Sequence, residues 1–184
     1  MNDPFDVLME EHRVIEKVIG VMKRIVEEIN AGFKPAAVDL KMSLDFIKVF
    51  ADKCHHGKEE DVLFPILEAR GIPRVGGPIE VMLVEHEQGR GFVRSMAEAL
   101  HIIEMGDDSG YGVFAENASA YVKLLSDHIF KEDNILYPMG RSALSREDIG
   151  ILSDRFEEVE SERLGPGVHE RYLKLAGELE SRYS

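Results

Sequence analysis

Cysteine is nearly missing from this sequence: Cys54 is the only one in 184 residues. No disulfide can form within the chain, and four-cysteine zinc sites and iron–sulfur clusters lack their ligands. Tryptophan is absent and only 7 prolines occur. Basic residues are outnumbered, 22 Lys and Arg against 35 Asp and Glu, leaving a net charge of -13. Such a surface serves solubility and repels phosphate, so neither nucleic acid nor an anionic membrane is expected as a partner. No stretch approaches ~18 uninterrupted apolar residues, and "MNDPFDVLMEEH" at the start has no basic segment followed by an apolar run. A soluble, cytoplasmic protein in a reducing compartment is expected. Period-2 alternation of any length is missing too, so no strand is predicted.

What the sequence does have is helical periodicity. With 44% hydrophobic residues it can bury one sizeable core. Asp3 and Pro4 suit the cap and first position of a helix whose inward stripe is Leu8, His12, Ile15, Ile19, Met22, Val26 and Ile29. A second helix from near Pro35 carries Leu40, Leu44, Ile47, Ala51, His55, Glu59, Val62 and Ile66. A third, after Pro78, carries Ile79, Met82, His86, Gly89, Val93, Met96 and Leu100. "EMGDDSGYG" reads as the next loop, and a fourth stripe follows with Phe114, Ala118, Tyr121, Leu125, His128, Glu132 and Ile135. Four long helices with short links predict an all-α, up-down antiparallel four-helix bundle over residues 1–140. Residues 141–184 predict two additional C-terminal helices. One is capped by Ser145 and Asp148 and runs to about Leu164. The other runs from about Val168, after "GPG" at 165–167. These acidic amphipathic helices offer no nameable chemistry; packing on the bundle or a homodimer contact would bury their apolar faces.

Polar residues interrupt the stripes in a pattern that repeats. "HHGKEEDVLFP" (55–65) lies over "HIFKEDNILYP" (128–138), matching His55 with His128, Lys58 with Lys131, Glu59 with Glu132 and Pro65 with Pro138. His12 precedes His55 by 43 residues, and His86 precedes His128 by 42. Each half therefore has a helix with one inward histidine, then a helix with His-x-x-x-Glu. Residues at i and i+4 share a helix face, so imidazole and carboxylate converge on one point. A lone His-x-x-x-Glu is usually a surface pair, and a lone inward histidine is usually a hydrogen-bonded core residue. Four inward histidines and two inward glutamates at matching offsets are a different matter, because burying them without a neutralising centre is expensive. These donors suit iron, manganese or zinc. Two metals sharing both glutamates would use all six residues, and oxide, hydroxide or a small anion would offset the remaining positive charge. His56 and Glu60 have the same spacing but follow Asp52 and Lys53 on a solvated face, so they are expected as an outer set. Glu60 and Asp133 align and suit orienting a ligand.

The stretches "DPFDVLMEEH" (3–12), "HHGKEEDVLFP", "LVEHEQ" (83–88) and "HIFKEDNILYP" together resemble the hemerythrin-like (HHE cation-binding) family across about residues 4–140. The resemblance implies a bundle holding two non-haem iron ions with an oxo or hydroxo bridge. His12, His55, His86 and His128 would be terminal ligands and Glu59 and Glu132 bridges. Oxygen-carrying members have a second histidine four residues after the third-helix one, where this chain has Arg90. A four-histidine set is similar to the iron-centre repair and nitric-oxide-stress branch. The expected function is binding of O2 or nitric oxide, or iron handling, in sensing or oxidative and nitrosative stress. The alternative is a di-iron enzyme of the peroxidase or nitric oxide reductase type, with peroxide or nitric oxide as substrate and Tyr121 as a candidate proton donor. Arg90 is read as a surface residue or one reaching an anion or carboxylate, Cys54 as a small buried residue, and His101 and His169 as surface residues.

Overall fold

The computed structural model describes residues 3–163 and 165–184. Leu164, where the fifth helix was expected to end, lies outside them. No strand occurs among the described residues, and the elements are helices throughout.

Helix α1 spans Pro4–Asn30. Asp3, in extended conformation, accepts the Phe5 N–H at 2.8 Å, and Pro4 occupies the first turn, where its missing N–H costs nothing. Helix α2 is continuous over 37–69 but not uniform. Its first part, Ala37–Phe46, is ordinary; Ile47–His56 and Glu59–Leu63 are wound wider, with i→i+5 bonding; Phe64–Ala69 closes it. Helix α3 spans Pro78–Glu104. Helix α4 covers 109–143, beginning as Ser109–Lys131, widening over Glu132–Leu136 and finishing as Tyr137–Ala143. It starts inside the predicted loop, because Asp107 accepts the Ser109 N–H at 2.9 Å and sets the first turn early. Helix α5 spans Arg146–Arg163 and α6 spans Val168–Arg182. Ser145 and Asp148 form the reciprocal cap expected of them: the Ser145 N–H donates to Asp148 at 2.9 Å, and the Asp148 N–H to the Ser145 Oγ at 3.2 Å.

The wide turns have a local cause in the sequence. Pro65 and Pro138 have no N–H to give, and each ring would strike the carbonyl four residues earlier in a regular α-helix. The chain relieves this by widening just before each proline. The Phe64 N–H bonds the Glu59 carbonyl and the Tyr137 N–H bonds the Glu132 carbonyl, five residues back in both halves. Widening also shifts which residues face inward. Ile135, expected on the inward stripe, is 50% exposed, and Leu136 takes its place at 1%.

The core has two apolar layers with the polar residues between them. One holds Ile15, Ile19, Phe50, Ala51, Val93, Met96, Leu125 and Ile129. The other holds Phe5, Leu8, Val62, Leu63, Ile79, Met82, Leu136 and Tyr137. Helix α1 passes from the second layer into the first, α2 back into the second, α3 into the first and α4 back again. Helix α5 covers the second layer with Leu152 and Phe156, and α6 covers the first with Tyr172, Ala176 and Leu179.

Helices α3 and α4 meet most tightly where Gly110 faces the end of α3. A Cβ there would stand 2.6 Å from the Ala99 carbonyl oxygen and 2.8 Å from Ile103 Cγ1. Gly110→Ala is expected to destabilise the fold by about 1–3 kcal/mol in denaturant unfolding. Gly112→Ala, where a Cβ meets nothing within 4 Å, is the control and should stabilise by up to about 1 kcal/mol through helix propensity alone.

Candidate metal centre

The six residues predicted as ligands meet in the polar layer, one histidine from α1, His55 and Glu59 from α2, one histidine from α3, and His128 and Glu132 from α4. None of His12, His55, Glu59, His86, His128 and Glu132 is more than 2% exposed.

Each of the four histidines is anchored through Nδ1 by a carboxylate. His12 meets Asp133 at 2.7 Å, His55 meets Glu11 at 2.9 Å, His86 meets Glu60 at 2.7 Å and His128 meets Glu85 at 2.8 Å. A carboxylate only accepts, so each Nδ1 carries a proton and each Nε2 is turned to the interior, where it offers a lone pair whenever the ring is neutral. His12 Nε2 and His128 Nε2 both lie 3.2 Å from the Glu132 carboxylate, and His86 Nε2 lies 3.5 Å from Glu59. His86 Nε2 and His128 Nε2 face each other at 3.0 Å. Two lone pairs at that separation repel unless a cation or proton stands between them.

Unsatisfied atoms mark the same spot. His55 Nε2, Glu59 Oε2 and both oxygens of Glu132 are fully buried without a hydrogen-bond partner. Buried polar atoms are rarely orphaned, and here they converge. The other Glu59 oxygen accepts from the Tyr137 hydroxyl at 2.7 Å. Two donor groups form, each with its ligand atoms within 4.8 Å of one another: His12, His55 and Glu132, and His56, Glu59, His86 and His128. Imidazole nitrogens turned inward beside carboxylates match the donor set of a paired iron, manganese or zinc site, so the residues fit such a centre.

His56 is the main departure from the expected outer placement. It is buried, and its ring stacks on His86 with centroids 3.8 Å apart. Both consecutive histidines lie in the widely wound stretch Ile47–His56 and both are buried. Glu60 does lie outside, behind His86. Arg90 reaches carboxylates: its Nε donates to Asp52 at 2.9 Å and its terminal nitrogen to Glu60 at 2.6 Å.

The sequence pattern assigned no role to several supporting residues. Glu11 and Glu85 each precede an inward histidine by one position, so "Glu-His" recurs in the two halves and was a readable signal. Lys58 and Lys131, matched in the repeat, hold those glutamates: Lys58 Nζ lies 2.5 Å from Glu11, and Lys131 pairs with Glu85. Arg13 pairs with Asp133 in the same way. Tyr137 was legible only as an aromatic matched to Phe64. His169 is not a plain surface residue either: its Nε2 is 3.7 Å from Glu11, beside Glu160. That trio does not make a further cation site, because the Lys58 ammonium already sits 2.5 Å from Glu11 and 3.0 Å from Glu160.

Electrostatics follow from this layout. Burial and the facing Glu132 hold the Glu59 carboxyl well above the usual carboxylate range. Burial would raise Glu132 as well, but His128 and His12 together pull it well below. Burial pushes His55 down to about 4. Burial also lowers His128, but Glu132 and Glu85 outweigh it and bring the ring up to about 9. Burial and the neighbouring His56 and His128 hold His86 well below its ordinary value, so the facing pair shares one proton, on His128.

Comparison with known proteins agrees with this geometry. The family described as "Hemerythrin HHE cation binding domain" matches residues 3–140. The uncharacterized protein Rv1995 of Mycobacterium tuberculosis (strain ATCC 25618 / H37Rv) is 23% identical over 173 residues, covering 94% of this chain and 67% of that protein. The iron-sulfur cluster repair protein YtfE of Edwardsiella ictaluri is 28% identical over 138 residues, covering 70% of this chain and 59% of that protein.

Two outcomes are expected. In the metal-free protein, His55 titrates at about 4 against 6.5 unfolded, so stability falls as pH drops through that window. His128, at about 9 against 6.5, contributes fully below 6.5 and loses its contribution as pH rises toward 9. These two groups therefore make thermal melts fall on both the acid and the alkaline side, and metal loading should reduce the alkaline decline, because the ion replaces the shared proton. Separately, Glu85→Gln should weaken metal affinity about 10–100-fold in chelator competition while the fold persists.

Proposed function

The chain belongs to the hemerythrin HHE cation-binding family, and on that premise we propose that it is a non-haem di-iron protein that binds O2 or nitric oxide, or handles iron, in a stress response. The observation that carries this reading is the set of orphaned buried atoms, His55 Nε2, Glu59 Oε2 and both Glu132 oxygens, converging between the inward-turned imidazoles. His12 and His55 would hold one ion with Glu132, and His56, His86 and His128 the other with Glu59; the two carboxylates lie where they can be shared. The alternating passage of α1 to α4 between the two apolar layers supports the up-down four-helix arrangement. The similarity to an iron-sulfur cluster repair protein favours iron handling over oxygen carriage.

Iron, when bound, supplies a redox-active centre with positions open to small ligands; manganese and zinc suit most of the same donors. The chain's own residues do the rest. Asp133, Glu11, Glu60 and Glu85 fix each imidazole in the tautomer that offers Nε2. The Tyr137 hydroxyl steadies Glu59, and the Phe5–Tyr137 pair and Phe64 keep water out on that side. Among the described residues no helix is long and apolar enough to cross a membrane. A cavity of about 230 Å³ reaching His56, His86 and His128 favours the enzyme reading, peroxidase or nitric oxide reductase, as the second choice.

The test is exposure of protein loaded with Fe(II) under anaerobic conditions to nitric oxide and to peroxide. Stoichiometric uptake with new optical bands, lost in His86→Ala, is expected for the binding reading. Many turnovers per chain would shift the function to the enzyme, and retention of the bands in His86→Ala would remove His86 from the site.

A further inference from the structure

The cavity of about 230 Å³ beside the histidine-rich group is larger than a diatomic ligand needs. A water molecule takes up ~30 Å³ of liquid volume, so the space matches roughly eight waters, while falling below the ~300 Å³ at which drug-sized pockets begin. Most of its wall is apolar, from Ile47, Val93, Leu124 and Leu125. Its inner end is formed by His56, His86 and His128, and its lining also carries Lys48, Arg90 and Arg94 with Asp52 and Glu85, Arg90 being paired with Asp52 and Glu60 and Arg94 with Glu87.

Two further features point to an occupant. Gly89 sits in the middle of α3, where glycine is a poor helix former, and it faces this space. A Cβ on Gly89 would lie 3.5 Å from the Tyr121 ring and 3.8 Å from Leu124, so any larger side chain would grow into the cavity. Tyr121 lines the same wall at 3% exposure. Burial of its ring keeps the phenol protonated, so the hydroxyl can donate to a molecule in this space.

We propose that this cavity binds a small molecule with an anionic oxygen head and a short apolar body, the head directed to the metal side and the Tyr121 hydroxyl, the body lying along Val93, Leu124 and Leu125. The proposal rests on the metal-centre reading above and specifies what that centre meets. A short-chain carboxylate has this chemistry, and carboxylates are inert probes of it.

The experiment uses the full chain, iron-loaded, titrated by calorimetry with acetate, propionate, butyrate and hexanoate. Affinity should rise about fourfold per added methylene until the space is full, then fall. Gly89→Leu should abolish the rise while leaving acetate binding, with Val93→Phe as the second plug if the first variant does not fold. Tyr121→Phe should weaken every acid by a similar factor, roughly three- to tenfold, without changing the dependence on length. Flat affinity across the series, or a rise that survives both plugs, overturns the proposal while two irons per chain leave the centre standing. A chain that retains no iron overturns the centre and this proposal together.

Discussion

Behind each of His12, His55, His86 and His128 stands a carboxylate at the Nδ1 nitrogen, and behind each carboxylate stands a cation. Asp133 is paired with Arg13, Glu11 with Lys58, Glu60 with Arg90 and Glu85 with Lys131. This chain of hydrogen bonds sets the tautomer, turns every Nε2 inward and distributes the charge of a buried polar layer that would otherwise be very unfavourable. Pairing alone does not complete the layer, since Glu132 keeps two oxygens without hydrogen bonds. A polar layer satisfied on its outside and unsatisfied at its centre is arranged around something that the side chains do not supply.

The helices accept this layer through their local winding. Proline inside the C-terminal part of α2 and α4 would be a defect in a regular helix. Here it coincides with the turn that carries each inward glutamate, and the widened turn aims that residue. The same wide winding runs over Ile47–His56, where His55 and His56 are both buried. The third imidazole on that side comes from α2, not from the α3 position that Arg90 occupies. The two ends of the layer are therefore unequal, two imidazoles on one side and three on the other, and the cavity of about 230 Å³ reaches the richer side.

Periodicity and the internal repeat made the helices, their order and the six central residues legible, because i, i+4 spacing and apolar stripes are local properties. Glu60 and Asp133 were readable from their alignment. His56 and Ile135 were misplaced for a shared reason: a 3.6-residue period was carried through turns that close at i+5. Lys58 and Lys131 were visible as matched positions, but their role depends on Glu11 and Glu85 arriving from other helices. The contribution of the C-terminal helices was not readable at all. Glu160 of α5 and His169 of α6 reach the Lys58–Glu11 couple behind His55, a contact between residues more than 100 positions apart in sequence.

The central claim is that two metal ions share the Glu59 and Glu132 carboxylates within one polar layer. Mössbauer spectroscopy of the iron-loaded protein, with iron counted per chain, tests it most directly. The account predicts two irons per chain in unequal environments, magnetically coupled through their bridges. A single uncoupled iron, or two that remain independent, would contradict it.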